Sequence, residues 1–105
     1  MIDRRCVILL FFDLPMITKS DRREYARFRK QLKRNGYLTI QESVLIKLIH
    51  NTSFAKKELE MLESYSPKNS AIYAIPISIS DFFKLTSLSD KKFDFEFFTG
   101  KTIFL

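Results

Sequence analysis

The chain has 105 residues, of which 46% are hydrophobic, and a formal net charge of +6 at pH 7. This length predicts a single domain with one hydrophobic core. The only cysteine, Cys6, excludes an intrachain disulfide framework and a cysteine-based zinc site, and the two glycines are too few for a P-loop or a dinucleotide fingerprint. No apolar stretch reaches the roughly 18 residues of a membrane span, so we expect a cytoplasmic protein without membrane contact.

All of the excess positive charge lies in the first half of the chain. Residues 1–52 contain eleven Lys and Arg against five Asp and Glu, whereas residues 53–105 contain seven of each sign. A concentrated positive field of this kind favours a polyanionic partner, and nucleic acid is the simplest such partner.

The first predicted element is a buried strand, CVILLFFD, that ends at Asp13 and is followed by Leu14-Pro15. Its side chains are apolar on both faces, which is typical of a central strand covered above and below. Pro15 has no N–H with which to extend a ladder, so the chain turns there. Asp13 is therefore a carboxylate at the carboxyl end of a buried strand, and it is the first candidate for chemistry.

A single carboxylate such as Asp13 does not hold Mg²⁺ for phosphoryl chemistry unless water, substrate oxygens or another carboxylate complete the octahedral shell. A two-fold dimer would supply the second carboxylate, because an isologous interface repeats the same residues on both sides of its axis. The alternative is that Asp13 is a turn residue whose carboxylate accepts nearby backbone N–H bonds.

The best-marked helix begins near Thr18 and ends at Asn35-Gly36. Helical spacing places Tyr25, Phe28 and Leu32 on one core-facing stripe. The rest of its surface is mainly cationic, which favours a polyanion over an ordinary solvated face of mixed charge. The cations predicted to contact phosphates are Arg22, Arg23, Arg27, Lys30, Lys33 and Arg34.

The remaining elements are marked less sharply. Residues 37–49 form either one long strand with a bend or two strands that meet at the polar residues 41–43. A second helix precedes Ser66-Pro67, and residues 70–79 form a further strand in which Pro76 favours an edge position or a bend. A short helix follows near Phe82, and the apolar end of the chain predicts a terminal strand in the sheet of this subunit or its partner.

This order of elements predicts an α+β, ferredoxin-like βαββαβ fold with both helices on one side of an antiparallel or mixed sheet. We expect residues 1–80 to form the ferredoxin-like core. Residues 81–105 would form a C-terminal extension, made of a short helix, a loop and a terminal strand, that packs on the partner subunit. The whole chain is expected to be one domain.

Four motifs in this order resemble the small CRISPR-associated adaptation protein of the Cas-two family, and most closely its type II branch. They are Leu10-Phe11-Phe12-Asp13-Leu14-Pro15, Arg22-Arg23-Glu24-Tyr25-Ala26-Arg27-Phe28-Arg29-Lys30, Gly36-Tyr37 and Gln41-Glu42-Ser43-Val44. The resemblance implies a homodimer whose terminal strand crosses to the partner subunit. It also implies a complex with the CRISPR integrase subunit, in which the dimer is a central spacer that holds and measures a short DNA duplex.

The same resemblance implies a metal-dependent endonuclease acting on RNA or DNA. Asp13 of both subunits would bind Mg²⁺ and would be the catalytic residue. Two positions depart from the family pattern. Many members have a tyrosine where this chain has Phe12, and an aromatic residue where it has Leu45. The missing hydroxyl at position 12 weakens the expectation of hydrolysis more than that of DNA binding, which needs only cations.

Two alternatives to a DNA-binding adaptor stay open. A Mg²⁺-dependent phosphodiesterase would use the paired Asp13 carboxylates, although no general base is visible beside them. A free-standing, toxin-like ribonuclease or RNA-binding domain of the same fold would show exposed aromatic residues on its sheet. The candidates for such a surface are Phe93, Phe95 and Phe97.

Overall fold

The computed structural model of the protein describes residues 3–94 and residue 98. The strands are β1 (Cys6–Asp13), β2 (Leu38–Gln41), β3 (Val44–Ile49) and β4 (Ala71–Ser78), and the helices are α1 (Lys19–Arg34), α2 (Ala55–Tyr65) and α3 (Ile79–Phe82). The sheet order is β2-β3-β1-β4, and all neighbouring strands are antiparallel. This is the ferredoxin-like α+β fold that the sequence predicts. Within the described residues, no helix combines the length and the apolar character needed to cross a membrane.

The structure decides between the two readings of residues 37–49. A tight turn at Glu42 and Ser43 separates β2 from β3, so the segment is a hairpin of two strands. Of these two strands, only β3 pairs with β1, and the register sets Val44 opposite Phe11. Pro76 lies in β4, which has a single neighbouring strand among the described residues, so the predicted edge position is confirmed for that part of the chain.

The two-residue alternation of β1 divides its side chains between two layers. The even-numbered residues, from Cys6 to Phe12, pack with Phe28 and Leu32 of α1 and with Leu62 of α2. Both helices therefore cover the same face of the sheet, and of the predicted stripe of α1, Phe28 and Leu32 are fully buried and Tyr25 is partly buried.

The second face of the sheet is covered only in part. Val7 of β1 and Ile46 of β3 pack there with Ile79 and Phe82 of α3. From the middle of β1 to its carboxyl end the same face carries four exposed apolar side chains, which we call the open sheet face. Its members are Phe11, Leu38, Tyr73 and Ile75, which are 42%, 45%, 61% and 49% exposed.

The helix α3 spans the predicted boundary between core and C-terminal extension at residue 80, and the Ser78 hydroxyl caps its first turn by accepting the Asp81 N–H at 3.1 Å. The rings of Phe93 and Phe98 pack on Phe82 of the same chain, with centroids 6.5 Å and 5.6 Å away. Phe93 is partly buried in this cluster and is not an open platform for bases. The other two candidate aromatics, residues 95 and 97, and the predicted terminal strand lie outside the described residues, so packing on a partner stays a prediction.

Candidate metal site and nucleic-acid surface

Asp13 ends the central strand β1 at the rim of the sheet. It is exposed, lies opposite Ala71 of β4, and shares the open sheet face with Phe11, two residues earlier. Within residues 3–94 and 98, its carboxylate takes part in no hydrogen bond or ion pair. The alternative in which Asp13 accepts backbone N–H bonds as a turn residue is therefore wrong.

The described part of the chain contains no cluster of three or more His, Cys, Asp or Glu able to hold a metal ion. An unpaired, exposed carboxylate is a suitable oxygen ligand for Mg²⁺, which usually keeps several waters and takes one or two carboxylates from protein. Asp13 therefore fits the ion as one ligand, and a second copy of Asp13 would give the pair that the sequence predicts.

The segment that leaves Asp13 is held by the first turn of α1. The Arg22 guanidinium donates through Nη1 to the carbonyl oxygens of Met16 at 3.3 Å and Ile17 at 2.9 Å. The Asp21 carboxylate accepts the N–H of Thr18 at 3.0 Å and that of Ile17 at 3.2 Å. These backbone bonds, the one from Thr18 foremost, lower the pKa of Asp21.

The hairpin turn on the other side of Asp13 is held by Arg29. Its guanidinium donates through Nη1 to the Glu42 carbonyl at 2.7 Å and through Nη2 to the Thr39 hydroxyl at 3.1 Å. The next carbonyl, that of Ser43, accepts the N–H of Phe12 at 3.2 Å. Arg29 is thus connected to Phe12, the residue before Asp13, through the backbone of this hairpin turn.

Sequence reasoning assigned no role to Arg29. The available signal was its i,i+4 spacing from Tyr25, since the guanidinium lies over that ring at 5.8 Å. The two acceptors of the Arg29 guanidinium, one carbonyl and one hydroxyl, carry no such signal, because they lie in the hairpin and not in the helix.

The six predicted phosphate contacts are all exposed, but they are not equivalent. Arg22 holds the loop after Asp13, and Arg27 pairs with Glu24 and donates to the Tyr65 carbonyl at 3.4 Å. The other four have no hydrogen bond or ion pair with any described residue, and we call them the free cations of α1. They are Arg23, Lys30, Lys33 and Arg34.

Both departures from the family pattern lie in the core between sheet and helices. Phe12 is 6% exposed and meets Phe28 and Tyr25 edge to face, with ring centroids 5.4 Å and 6.2 Å away. Leu45 is buried in the same cluster. A hydroxyl at position 12 would point into this layer, away from the face that carries Asp13, so the phenylalanine is no argument against chemistry at Asp13.

Comparison with known proteins identifies the family. The family model described as CRISPR-associated protein Cas2 matches residues 6–85. The chain belongs to the Cas2 family. The matched region contains Asp13, the whole of α1 and the β2–β3 hairpin, so every residue of the candidate site lies inside it. The family resemblance of the sequence motifs is confirmed.

Three Cas2 relatives illustrate the similarity, and each is named a CRISPR-associated endoribonuclease Cas2. The protein of Acidovorax ebreus is 35% identical over 75 residues, which cover 71% of this chain and 74% of the relative. The protein of Ligilactobacillus salivarius is 29% identical over 85 residues, or 81% of this chain and 84% of the relative. The protein of Treponema denticola is 30% identical over 78 residues, or 74% of this chain and 77% of the relative.

Proposed function

We propose that this Cas2-family chain is a CRISPR adaptation subunit that binds duplex DNA as a homodimer and bridges integrase subunits during spacer acquisition. The observation that carries the DNA-binding part is the set of free cations on α1, of which Arg23, Lys30 and Arg34 lie in a row along one side of the helix. From Arg23 to Arg34 the helix rises about 16 Å, which matches about five base-pair steps along a duplex. Contacts to phosphates from such a row are independent of sequence, as a subunit that accepts any spacer requires.

The open sheet face supports the homodimer. Its exposed apolar side chains, with the rings of Phe11 and Tyr73 stacked at 5.8 Å, form the kind of surface that a soluble protein usually covers. A second copy docked through this face would lie next to Asp13 of the first. Such an interface is isologous, so the two Asp13 carboxylates would face one another with the two-fold axis passing near the end of β1.

A Mg²⁺-dependent endonuclease activity at this seam is the second part of the proposal. It is supported by the exposed, unpaired carboxylate of Asp13 and by the endoribonuclease names of the relatives. Asp13 of each subunit would hold the ion, which when bound polarises a phosphoryl oxygen and lowers the pKa of water. The substrate is RNA or DNA, whose phosphates the free cations would orient.

DNA binding is tested by replacing the four free cations together with alanine and measuring duplex affinity over a range of salt concentrations. Each lost phosphate contact should lower the slope of log affinity against log salt by about 0.9. The matched control removes four exposed lysines elsewhere, Lys56, Lys57, Lys91 and Lys92, and has the same net charge. Equal losses in the two variants would mean that net charge, and not the α1 surface, controls binding.

Nuclease activity is tested on single-stranded RNA and duplex DNA with Mg²⁺ or with EDTA. We expect cleavage by the wild type only with Mg²⁺, and none by Asp13→Ala. The control Asp90→Ala removes an exposed carboxylate from a loop far along the chain and should cleave like the wild type. Cleavage that survives Asp13→Ala would place the activity at another site.

A further inference from the structure

We infer that Arg22 and Arg29 are positioning residues for the Asp13 end of the sheet and not phosphate contacts. The inference rests on the proposed function, because it divides the cations of α1 between nucleic-acid binding and support of the Asp13 metal site. The free cations would hold nucleic acid. The two arginines, on the same helix, hold the two backbone segments between which Asp13 lies.

The first step is the geometry of Arg29. Both of its terminal nitrogens are engaged, one with the Glu42 carbonyl and the other with the Thr39 hydroxyl. Its side chain is only partly exposed and lies over the Tyr25 ring. A planar guanidinium held at both nitrogens is oriented toward the hairpin, and turning it to a phosphate would break both bonds.

The second step is the path from Arg29 to Asp13. Fixing the Glu42 carbonyl fixes the turn in which the Ser43 carbonyl accepts the Phe12 N–H. Phe12 is the residue before Asp13, so this bond extends the β1–β3 pairing up to the candidate metal ligand. The turn is therefore the point at which a helix side chain controls the end of the central strand.

The third step is the segment that follows Asp13. Its direction is set from the other side by Arg22, which binds the carbonyls of Met16 and Ile17 with one nitrogen. Asp21 accepts the N–H of Ile17, so both backbone polar groups of that residue bond to the first turn of α1. Asp13 is consequently preceded by Phe12, whose N–H bonds to the turn that Arg29 holds, and followed by a segment that bonds to the first turn of α1. Both sides of the candidate ligand along the chain are therefore held by α1.

The test compares neighbouring cations on one helix. In Arg29→Ala, amide hydrogen exchange at Phe12 should quicken by about tenfold or more, because a charge-assisted hydrogen bond that holds the turn is lost. The slope of duplex affinity against salt should stay at its wild-type value. In Lys30→Ala, the slope should fall by about 0.9 per lost phosphate contact, while exchange at Phe12 is unchanged. Arg22→Ala and Arg23→Ala form the second pair, with exchange followed at the Ile17 amide.

Mn²⁺ titration of the intact protein adds a readout that a purely structural role would not move. We expect Arg29→Ala to weaken Mn²⁺ binding by about 10- to 100-fold, as is typical for residues that orient a ligand. Arg29→Lys should rescue little, since one ammonium cannot make the forked contact. Asp13→Ala should abolish binding, and Lys57→Ala should leave it unchanged.

Three results would overturn the inference. They are a salt slope in Arg29→Ala that falls as far as in Lys30→Ala, unchanged exchange at Phe12, and wild-type Mn²⁺ affinity in Arg29→Ala. If the wild type binds no Mn²⁺, the metal part of the proposed function fails, and the exchange and salt measurements still decide the inference. If the wild type binds no duplex, the adaptor proposal fails. Amide hydrogen exchange at Phe12 and Mn²⁺ affinity then decide the inference.

Discussion

Glu58 is the centre of a half-buried polar network that joins the two helices. Its carboxylate accepts hydrogen bonds from the Tyr37 hydroxyl at 3.0 Å and from the Lys47 ammonium at 2.9 Å. Burial, together with the negative charge of Glu58, raises the pKa of Tyr37 far above its usual value, so the hydroxyl stays a donor. Tyr37 follows the end of α1, and Glu58 lies in the first turn of α2, so the network fixes one helix end against the other.

Tyr37→Phe tests this network. The substitution removes one hydrogen bond to a charged acceptor and should lower the free energy of unfolding by about 1.5 to 3 kcal/mol. The measurement is urea denaturation followed by circular dichroism. Tyr25→Phe is the matched control, because the Tyr25 hydroxyl makes no hydrogen bond with a described residue and its loss should change little. Equal midpoints for the two variants would show that the Tyr37 hydroxyl contributes nothing.

The kinds of residue in the candidate site were predictable from sequence, but their partners were not. Asp13 follows from an apolar run that ends in one acid, and the cations of α1 follow from helical spacing. Arg22 and Arg29 bind backbone carbonyls, which every residue has and no sequence pattern marks. Which cations of α1 are free and which bind backbone carbonyls can therefore be told only from the structure, where the segment after Asp13 and the β2–β3 hairpin lie beside the helix.

At the scale of the element, α1 has a complete capping box. The Thr18 hydroxyl accepts the N–H of Asp21 at 2.9 Å, and the Asp21 carboxylate accepts the N–H of Thr18. At the other end the chain leaves the helix through Gly36, whose φ of 91° is a conformation that favours glycine. Both ends of this helix could be predicted because their signals are local.

The cap makes a prediction for acid stability. The folded pKa of Asp21 lies below its unfolded value, so its contribution is present above that unfolded value and is lost as the pH falls through the folded pKa. Asp21→Asn should be less stable than the wild type in urea at pH 7, and the gap should narrow at an acidic pH low enough to protonate the Asp21 carboxylate. Asp90→Asn, an exposed loop control, should show no gap at either pH. A constant gap across this range would mean that the carboxylate charge is irrelevant.

Other element boundaries were less accessible because they depend on tertiary packing. The polar residues 41–43 suit a bend or a turn equally, and only pairing of β3 with β1 decides for the turn. Phe54, just before α2, and Met61, within it, share the spacing of core residues, yet they are 61% and 47% exposed. The axis of α2 brings Leu62 to the core instead, and periodicity alone does not fix that rotation.

At the scale of the molecule, the two layers present different surfaces. The helix layer carries the free cations of α1, and the sheet layer carries the open sheet face beside Asp13. The layered fold was predictable from the order of elements. How much of the sheet face opposite α1 and α2 is covered was not predictable, because this depends on where Phe82, Phe93 and Phe98 pack after the last described strand.

Placing a charge on the open sheet face should separate the proposed dimer into monomers. Tyr73→Lys puts a cation beside Phe11 on each copy, and a two-fold interface would bury both cations without a partner. Light scattering after size exclusion should give about half the wild-type mass. Met61→Lys adds the same charge to an exposed apolar position on the helix layer and should leave the mass unchanged. If Tyr73→Lys keeps the wild-type mass while Met61→Lys is halved, the subunits associate through their helices, and the two Asp13 carboxylates would then lie on opposite outer faces and could not share an ion.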